Sequence, residues 1–536
     1  MRCFVIGIDA ACQRVLDPLF DQEVTPTLES IFRRGVSDSL HSQIPPWTPS
    51  AWPSLCTGTN PGKHGIFDFL AFDGYDWDVV DATRLHEPAL WEYLSAAGYE
   101  SVVVNVPLTH PPKPFDGALV PGYIAPERPV CHPEGLLAEI RDAIGDYRIY
   151  PDSSDDGTTD DYAAHREVVH MRGEAFEYLA ERFDPAFGFL QFQQTDTVFH
   201  KYPDDWDAVR AVYEAVDAEL DRILDRFDPE TVLVVSDHGM GEYDDYEFRV
   251  NEFLRETGHV ATTRGGTGMP SWALVRDSKL TSGETGDPDR SPLGSLMRQA
   301  ARLGITTQRV VAVLDALGLA DTVGRFVPPS VASSGAEQVD FSASTAFMRS
   351  RSELGVRINL EGREPHGQVP QDEYEDVRSD LIRLFTDVRT PDGDRVFADV
   401  APREAYFDGP VIEEAVDIVL VPANFEQFLS ARLAGATFGT PSEPWNHKLD
   451  GIVAAAGTGV DTSVSLGDAD LFDIAPTVLA LFGLPRGARM DGTPLPIVDS
   501  AGVSEYDSID RSDSNISATS GEVQERLENL GYIENI

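Results

Sequence analysis

Lysine is nearly missing from this 536-residue chain: Lys63, Lys113, Lys201, Lys279 and Lys448 are its whole complement, and arginine carries almost all the positive charge. Lys and Arg together number 42 against 90 Asp and Glu, a formal net charge of -48. A field of that sign repels a nucleic-acid backbone, so no nucleic-acid polymer is expected as a partner unless cations reverse the charge locally. Cysteine is scarce too. Cys3, Cys12, Cys56 and Cys131 are too few and too scattered for a disulfide framework, which points to a reducing compartment, and a cytoplasmic protein is expected. No stretch approaches the roughly 18 uninterrupted apolar residues of a membrane span. The apolar run that opens the chain is too short for a signal peptide and has no small-residue cleavage site, so it reads as a first core strand.

What is present is ample material for a core. At 42% hydrophobic residues the chain supports one large α/β domain with insertions, or two domains. The acid excess runs from end to end, a pattern that resembles proteins of salt-loving archaea. Dispersed carboxylates stay solvated where salt screens their repulsion, with a Debye length of roughly 3 Å at 1 M, so low salt is expected to destabilise the fold. Short buried-type strands are expected at residues 4–8, 101–105, 187–192, 231–235, 417–421 and 452–455. Between them, residues 207–225 place Val209, Val212, Val216, Leu220, Ile223 and Leu224 on one helical stripe. This alternation predicts an α/β fold, a mostly parallel central sheet sandwiched by helices, with ligands gathering at the carboxyl ends of the strands.

Residues 1–264 and 336–496 are read as the catalytic domain. Residues 265–335 differ, opening rich in Gly, Ser, Thr and Asp before two helix-like stretches at 293–303 and 307–317, and read as an insertion, either a cap or a connecting subdomain. Residues 497–520 turn Ser-rich and Asp-rich, the mark of a flexible acidic linker, and 521–536 hold a short C-terminal helix at 522–532.

Five constellations carry chemistry. In Gly7-Ile8-Asp9-Ala10-Ala11 a carboxylate leaves a buried strand, where a divalent metal neutralises it best, although a turn cap explains it equally well. In Trp47-Thr48-Pro49 the proline marks a first helical turn, which predicts Thr48 at the N-cap with its hydroxyl at the positive end of the helix dipole; locally, a plain cap is an equal reading. Asp196 and His200 stand four apart after an apolar run, a spacing that lets a carboxylate and an imidazole face one zinc or manganese ion, or else a surface ion pair. Ser236-Asp237-His238-Gly239 is the strongest: two ligand types leave a hydrophobic strand at a turn that the glycine permits. His447, shortly before another core strand, gains weight only from its company.

The ordered set Asp9, Thr48, Asp196 with His200, Asp237-His238-Gly239 and His447 resembles the type I phosphodiesterase/nucleotide pyrophosphatase branch of the alkaline phosphatase superfamily. Thr57-Gly58, Pro61 and His64-Gly65-Ile66 fit that branch's nucleophile region. The stretches 105–107 through Gly122, 357–365 and 473–479 resemble archaeal and bacterial members, and the likeness spans most of residues 1–496. The resemblance implies two divalent metals, usually zinc, about 4 Å apart. One would be held by Asp196, His200 and His447; the other by Asp9, Asp237 and His238, in contact with Thr48. It further implies Thr48 as nucleophile and a phospho-threonine intermediate in the hydrolysis of small phosphate esters, phosphodiesters or nucleotide pyrophosphates. One departure stands out: nucleotide-cleaving members carry an asparagine shortly after His-Gly-Ile, and here Asp68 is followed by Phe69, leaving Asn105 or backbone amides as substitutes.

Other readings remain. A phosphomonoesterase, mutase or head-group transferase shares the scaffold, and a catalytically silent metal-binding scaffold would have no need of Thr48. A sulfatase needs Cys-x-Pro-x-Arg, or Ser in place of the Cys; Cys131-His132-Pro133 is followed two residues on by Gly135, far from the nucleophile position, which counts against it.

Overall fold

Residues 3–8 are apolar without a break, and their side chains serve two cores. Phe4, Ile6 and Ile8 enter one hydrophobic cluster, Cys3 and Val5 the other, so the strand is covered on both faces. The structure is a computed structural model and describes residues 1–151, 161–264, 337–506 and 509. The expected insertion at 265–335, the remainder of the 497–520 linker and the C-terminal helix lie outside the described residues.

Eight strands form the main sheet: β1 (Cys3–Ile8), β2 (Val36–His41), β3 (Ser101–Val104), β4 (Gly117–Val120), β5 (Phe187–Phe192), β6 (Thr231–Val235), β7 (Asp450–Gly457) and β8 (Ala469–Asp470). Their order is β8-β2-β7-β6-β1-β5-β3-β4. All neighbours are parallel except β7, which runs against both β2 and β6. The reason is local. The strand Trp445–Lys448 already lies beyond the sheet's carboxyl edge, paired with Gly239–Glu242, and β7 begins two residues later, so the chain runs back down.

The helices α1 (Thr48–Thr57), α2 (Asp161–Phe183), α3 (Gln194–Lys201), α4 (Trp206–Phe227) and α5 (Ile474–Leu481) cover the two faces. α4 begins where the Asp205 carboxylate accepts from the amides of Asp207 and Ala208, and it buries Val209, Val212, Val216, Leu220 and Ile223 as its stripe predicts. It packs on α2 on one face, while α1 and α5 pack together on the other.

One expected strand belongs elsewhere. Ile418–Pro422 does form, but in a separate antiparallel sheet with Ala346–Phe347, Gly355–Ile358 and Phe397–Pro402. A short apolar run reports burial, not which sheet supplies it. At the other end, residues 497–506, the start of the stretch read as a linker, are held in place. Ile497 is buried, Val503–Ser504 pairs with Arg486–Gly487, and the Tyr506 hydroxyl donates to the Pro485 carbonyl.

Candidate active site

Each predicted site residue lies at the carboxyl edge of the central sheet. Asp9 follows β1 directly, Asp196 and His200 sit on α3 just after β5, and Asp237-His238 follow β6. His447 reaches the same place from the strand Trp445–Lys448, in register with Met240 across the ladder. Thr48 arrives from α1, whose ten residues are all buried. The structure therefore brings together Asp9, Thr48, Asp196, His200, Asp237, His238 and His447.

Distances define two linked groups. Ligand atoms of Asp9, Asp237 and His238 lie within 4.8 Å of one another, as do those of Asp196, His238 and His447. His200 joins the second, its Nε2 standing 3.2 Å from Asp196 Oδ1 and 3.2 Å from His447 Nε2. The rings of His238 and His447 stack with centroids 3.5 Å apart, so the two groups share a wall. Thr48 Oγ1 lies 3.5 Å from His238 Nε2.

The helix geometry corrects one expectation. The residue capping α1 is Trp47, in extended conformation, and Thr48 is the first helical residue with Pro49 second. Proline lacks an N–H and has a fixed φ, so it suits any position in the first turn and marks the turn rather than the cap. The hydroxyl still stands at the positive end of the dipole.

The hydrogen bonds settle which atoms face inward. His238 Nδ1 lies 2.9 Å from the Gly239 carbonyl and His447 Nδ1 2.9 Å from the Pro46 carbonyl; a carbonyl only accepts, so each Nδ1 carries the proton and each Nε2 presents a lone pair. Within the site three buried carboxylate oxygens, Asp9 Oδ1, Asp196 Oδ1 and Asp237 Oδ2, have no hydrogen-bond partner. Among the described residues, the ion-pair contacts of these three carboxylates are with histidines alone, never with lysine or arginine. Burial, and then the neighbouring carboxylates of Asp237 and Asp196, push the Asp9 carboxyl well above its ordinary range; Asp237 is raised likewise by burial and by Asp196. Burial, then His447, holds His238 well below the usual imidazole value. Carboxyls that burial and one another keep from ionising, beside unprotonated imidazole nitrogens, form a donor set that suits divalent zinc or manganese.

Several functional neighbours were not legible in the sequence. Gln191 and Trp52 both donate to Asp9 Oδ2, Gln193 donates to Asp196 Oδ2 at 3.3 Å, and the Thr195 hydroxyl donates to the Asp9 carbonyl. Glu443 stands 3.8 Å from His200 Nδ1 and is itself paired to Arg351 at 2.6 Å. The one available signal was the amide run Gln191, Gln193 and Gln194 at the end of an otherwise apolar buried strand.

Other expected contributors have different roles. The Asn105 amide is committed to Gln191, donating to its Oε1 at 2.7 Å and its carbonyl at 3.0 Å, which removes it as a substitute phosphate ligand. Phe69 is buried edge-on to Tyr123. His64 is a fold pin: its Nδ1 accepts from the Ile66 amide, its Nε2 meets Ser54 Oγ at 2.8 Å, and burial, then His86, lowers it to about 3. Cys131 is buried, and burial pushes its thiol up to about 12.

The chain is similar to one family in sequence and to solved structures in fold. The family model for type I phosphodiesterase / nucleotide pyrophosphatase matches residues 3–432. The phosphonoacetate hydrolase of Sinorhizobium meliloti 1021 superposes with a TM-score of 0.52 at 16% identity, covering 89% of this chain and 94% of that one. Wild-type alkaline phosphatase PafA superposes with a TM-score of 0.51 at 15% identity, covering 92% and 99%. These two share the fold. No curated protein matches the sequence. With most of its length inside the family model, the chain belongs to the type I phosphodiesterase / nucleotide pyrophosphatase family.

Proposed function

We propose that the protein hydrolyses phosphodiesters or nucleotide pyrophosphates by way of two divalent metal ions, zinc by preference, and a covalent phospho-threonine at Thr48. The observation that carries the reading is the convergence of three unpartnered carboxylate oxygens with the histidine Nε2 atoms beside the Thr48 hydroxyl. Asp9, Asp237 and His238 would hold one ion, and Asp196, His200 and His447 the other. When bound, the pair supplies Lewis acidity that activates a hydroxyl otherwise far too weakly acidic to attack, and offsets charge on the entering and leaving oxygens.

The chain's own residues do the rest. Thr48, fixed at the first position of a wholly buried helix, presents one oxygen in a defined direction, and helix N-terminal dipoles favour an anion there. Attack forms the bond from phosphorus to Thr48 Oγ1, which gives its proton up to solvent, as the bond to the leaving alcohol or phosphate oxygen breaks and that oxygen takes up a proton; water then cleaves the phospho-threonine, leaving phosphate or its monoester and restoring the hydroxyl. With both ions bound, the site would carry net positive charge and give an anionic substrate an approach to a protein of net charge -48. The test is release of p-nitrophenol from bis(p-nitrophenyl) phosphate and from p-nitrophenyl phosphate, with and without chelator. Chelator-sensitive turnover of the diester is expected; inertness toward both esters overturns the reading.

A further inference from the structure

Asp9 is approached from behind by a relay of buried amides that the two-metal reading does not use. Gln191 Nε2 donates to Asp9 Oδ2 at 2.8 Å, and Trp52 Nε1 donates to the same oxygen at 2.9 Å. Both lone-pair directions of Oδ2 are thus answered, while Oδ1 has no partner and lies 3.4 Å from His238 Nε2. Gln191 is in turn held by Asn105, and Asn105, Gln191, Trp52 and Asp9 are all buried to within 1% of full coverage.

The backbone is shaped around this relay. Gly7 pairs with Gln191 in the parallel ladder between β1 and β5; a Cβ there would lie 2.6 Å from the Trp52 ring and 3.1 Å from Gln191 Cγ. The glycine leaves the gap through which both side chains reach Asp9. Asn105 takes a left-handed conformation at φ 65, which asparagine tolerates better than most residues, and a Cβ on Gly122 would strike its carbonyl at 1.9 Å. A glutamine amide is symmetric in shape but not in chemistry. Because the Asn105 Nδ2 donor faces Gln191 Oε1, that oxygen is turned toward Asn105 and the NH2 toward Asp9.

We propose that Gln191, oriented by Asn105, is a positioning residue for metal binding: together with Trp52 it saturates Oδ2 of Asp9, so that Oδ1 alone is offered to the ion held with Asp237 and His238. The inference rests on the two-metal reading above. Donors behind a ligating carboxylate fix its rotation, and loss of such partners commonly weakens metal affinity by about 10–100-fold.

The test is a competition titration of the full-length protein with Zn2+ against a chromophoric chelator, read alongside the melting temperature of the metal-free form. Gln191→Leu is expected to weaken one of two zinc sites by about 10–100-fold while leaving the other within twofold of wild type and the metal-free melting temperature close to wild type. Asn105→Gly, which keeps the left-handed backbone and touches neither Asp9 nor an ion, is expected to weaken the same site to a smaller extent. The double variant is expected to be no weaker than Gln191→Leu alone, because Asn105 acts through Gln191. Unchanged zinc affinity in both single variants, an additive double variant, or a melting-temperature loss without an affinity change overturns the proposal; should Gln191→Leu fail to fold, the Asn105→Gly titration decides it. A wild-type protein that binds no zinc would instead sink the two-metal reading itself.

Discussion

Asp417 and Asp9 are both fully buried carboxylates, and the protein treats them in opposite ways. Asp417, just before the strand Ile418–Pro422 of the four-stranded sheet, is answered at every lone pair: Arg363 donates to both oxygens at 2.7 and 2.6 Å, Arg403 and the Tyr374 hydroxyl donate to Oδ1, and the Ile358 amide donates to Oδ2. Burial pushes that carboxyl up, but Arg363 outweighs it and the group settles at about 2. Asp9 shares its region with Asp237 and Asp196, meets no arginine among the described residues, and keeps an oxygen with no donor there. A single buried carboxyl can be paired by the chain, as Asp417 is, or left to stay protonated; several that converge on one point with imidazole nitrogens mark a place where the neutralising charge comes from outside.

That contrast is breakable by mutation. The largest expected effect is chemical: Thr48→Ala should lower diester turnover by on the order of 10³-fold or more while leaving zinc binding intact, as p-nitrophenol release and a metal titration would show. Full activity in Thr48→Ala removes it as nucleophile.

Next in size is a difference of sign. Asp417→Ala leaves buried guanidinium groups unpaired and should cost about 3–5 kcal/mol in denaturant unfolding. Asp237→Asn removes a repelling charge, keeps an acceptor for the Ala10 amide, and turns an NH2 toward the lone pair of His238 Nε2. Metal-free Asp237→Asn should therefore be at least as stable as wild type, yet lose the stabilisation that zinc gives, about 3 kcal/mol at a hundredfold excess over Kd. Equal destabilisation of the metal-free protein by both changes would erase the distinction drawn between the two regions.

The smallest effect concerns a third buried carboxyl. Asp68 is raised to about 7 by burial and then by Glu353, with the Leu70 amide on one oxygen. Its folded value lies above its unfolded one of about 3.9, so its favourable contribution is fully present below that unfolded value and is lost as pH rises through about 7. Asp68→Asn should accordingly be more stable than wild type at pH 9, by on the order of 2 kcal/mol, with the difference shrinking toward pH 5. Melts of the two proteins at the two values check it; a difference independent of pH would show that Asp68 does not titrate in that range.

Much of the site was legible because a polar residue at the end of a buried strand has few structural explanations. Asp9 after β1 and Asp237-His238 after β6 announce themselves in this way, and all seven residues drawn from the sequence converge at one edge of the sheet. What supports them was harder to see. Gln191 lies inside a strand that is otherwise apolar, and nothing in its local sequence says that Asp9 is beside it, because the pairing is made with a strand some 180 residues away. Glu443 sits in an irregular segment and Arg351 opens a single 3-10 turn, neither long enough to show a period. The fold shows the same limit. Apolar runs located β5 and β6 to the residue, yet the same signal at Ile418–Pro422 reported burial without revealing that it belongs to another sheet. The proline after Thr48 likewise fixed the turn and left the cap one residue out.

The central claim is that unanswered carboxylates at the end of the sheet await two cations. Equilibrium dialysis of wild-type protein and of an Asp9→Asn, Asp237→Asn double variant against zinc, with bound metal counted by elemental analysis, tests it most directly. The account predicts two ions per wild-type chain and one in the variant, held with Asp196, His200 and His447. Wild-type protein that retains no zinc, or a variant that still retains two ions, would contradict it.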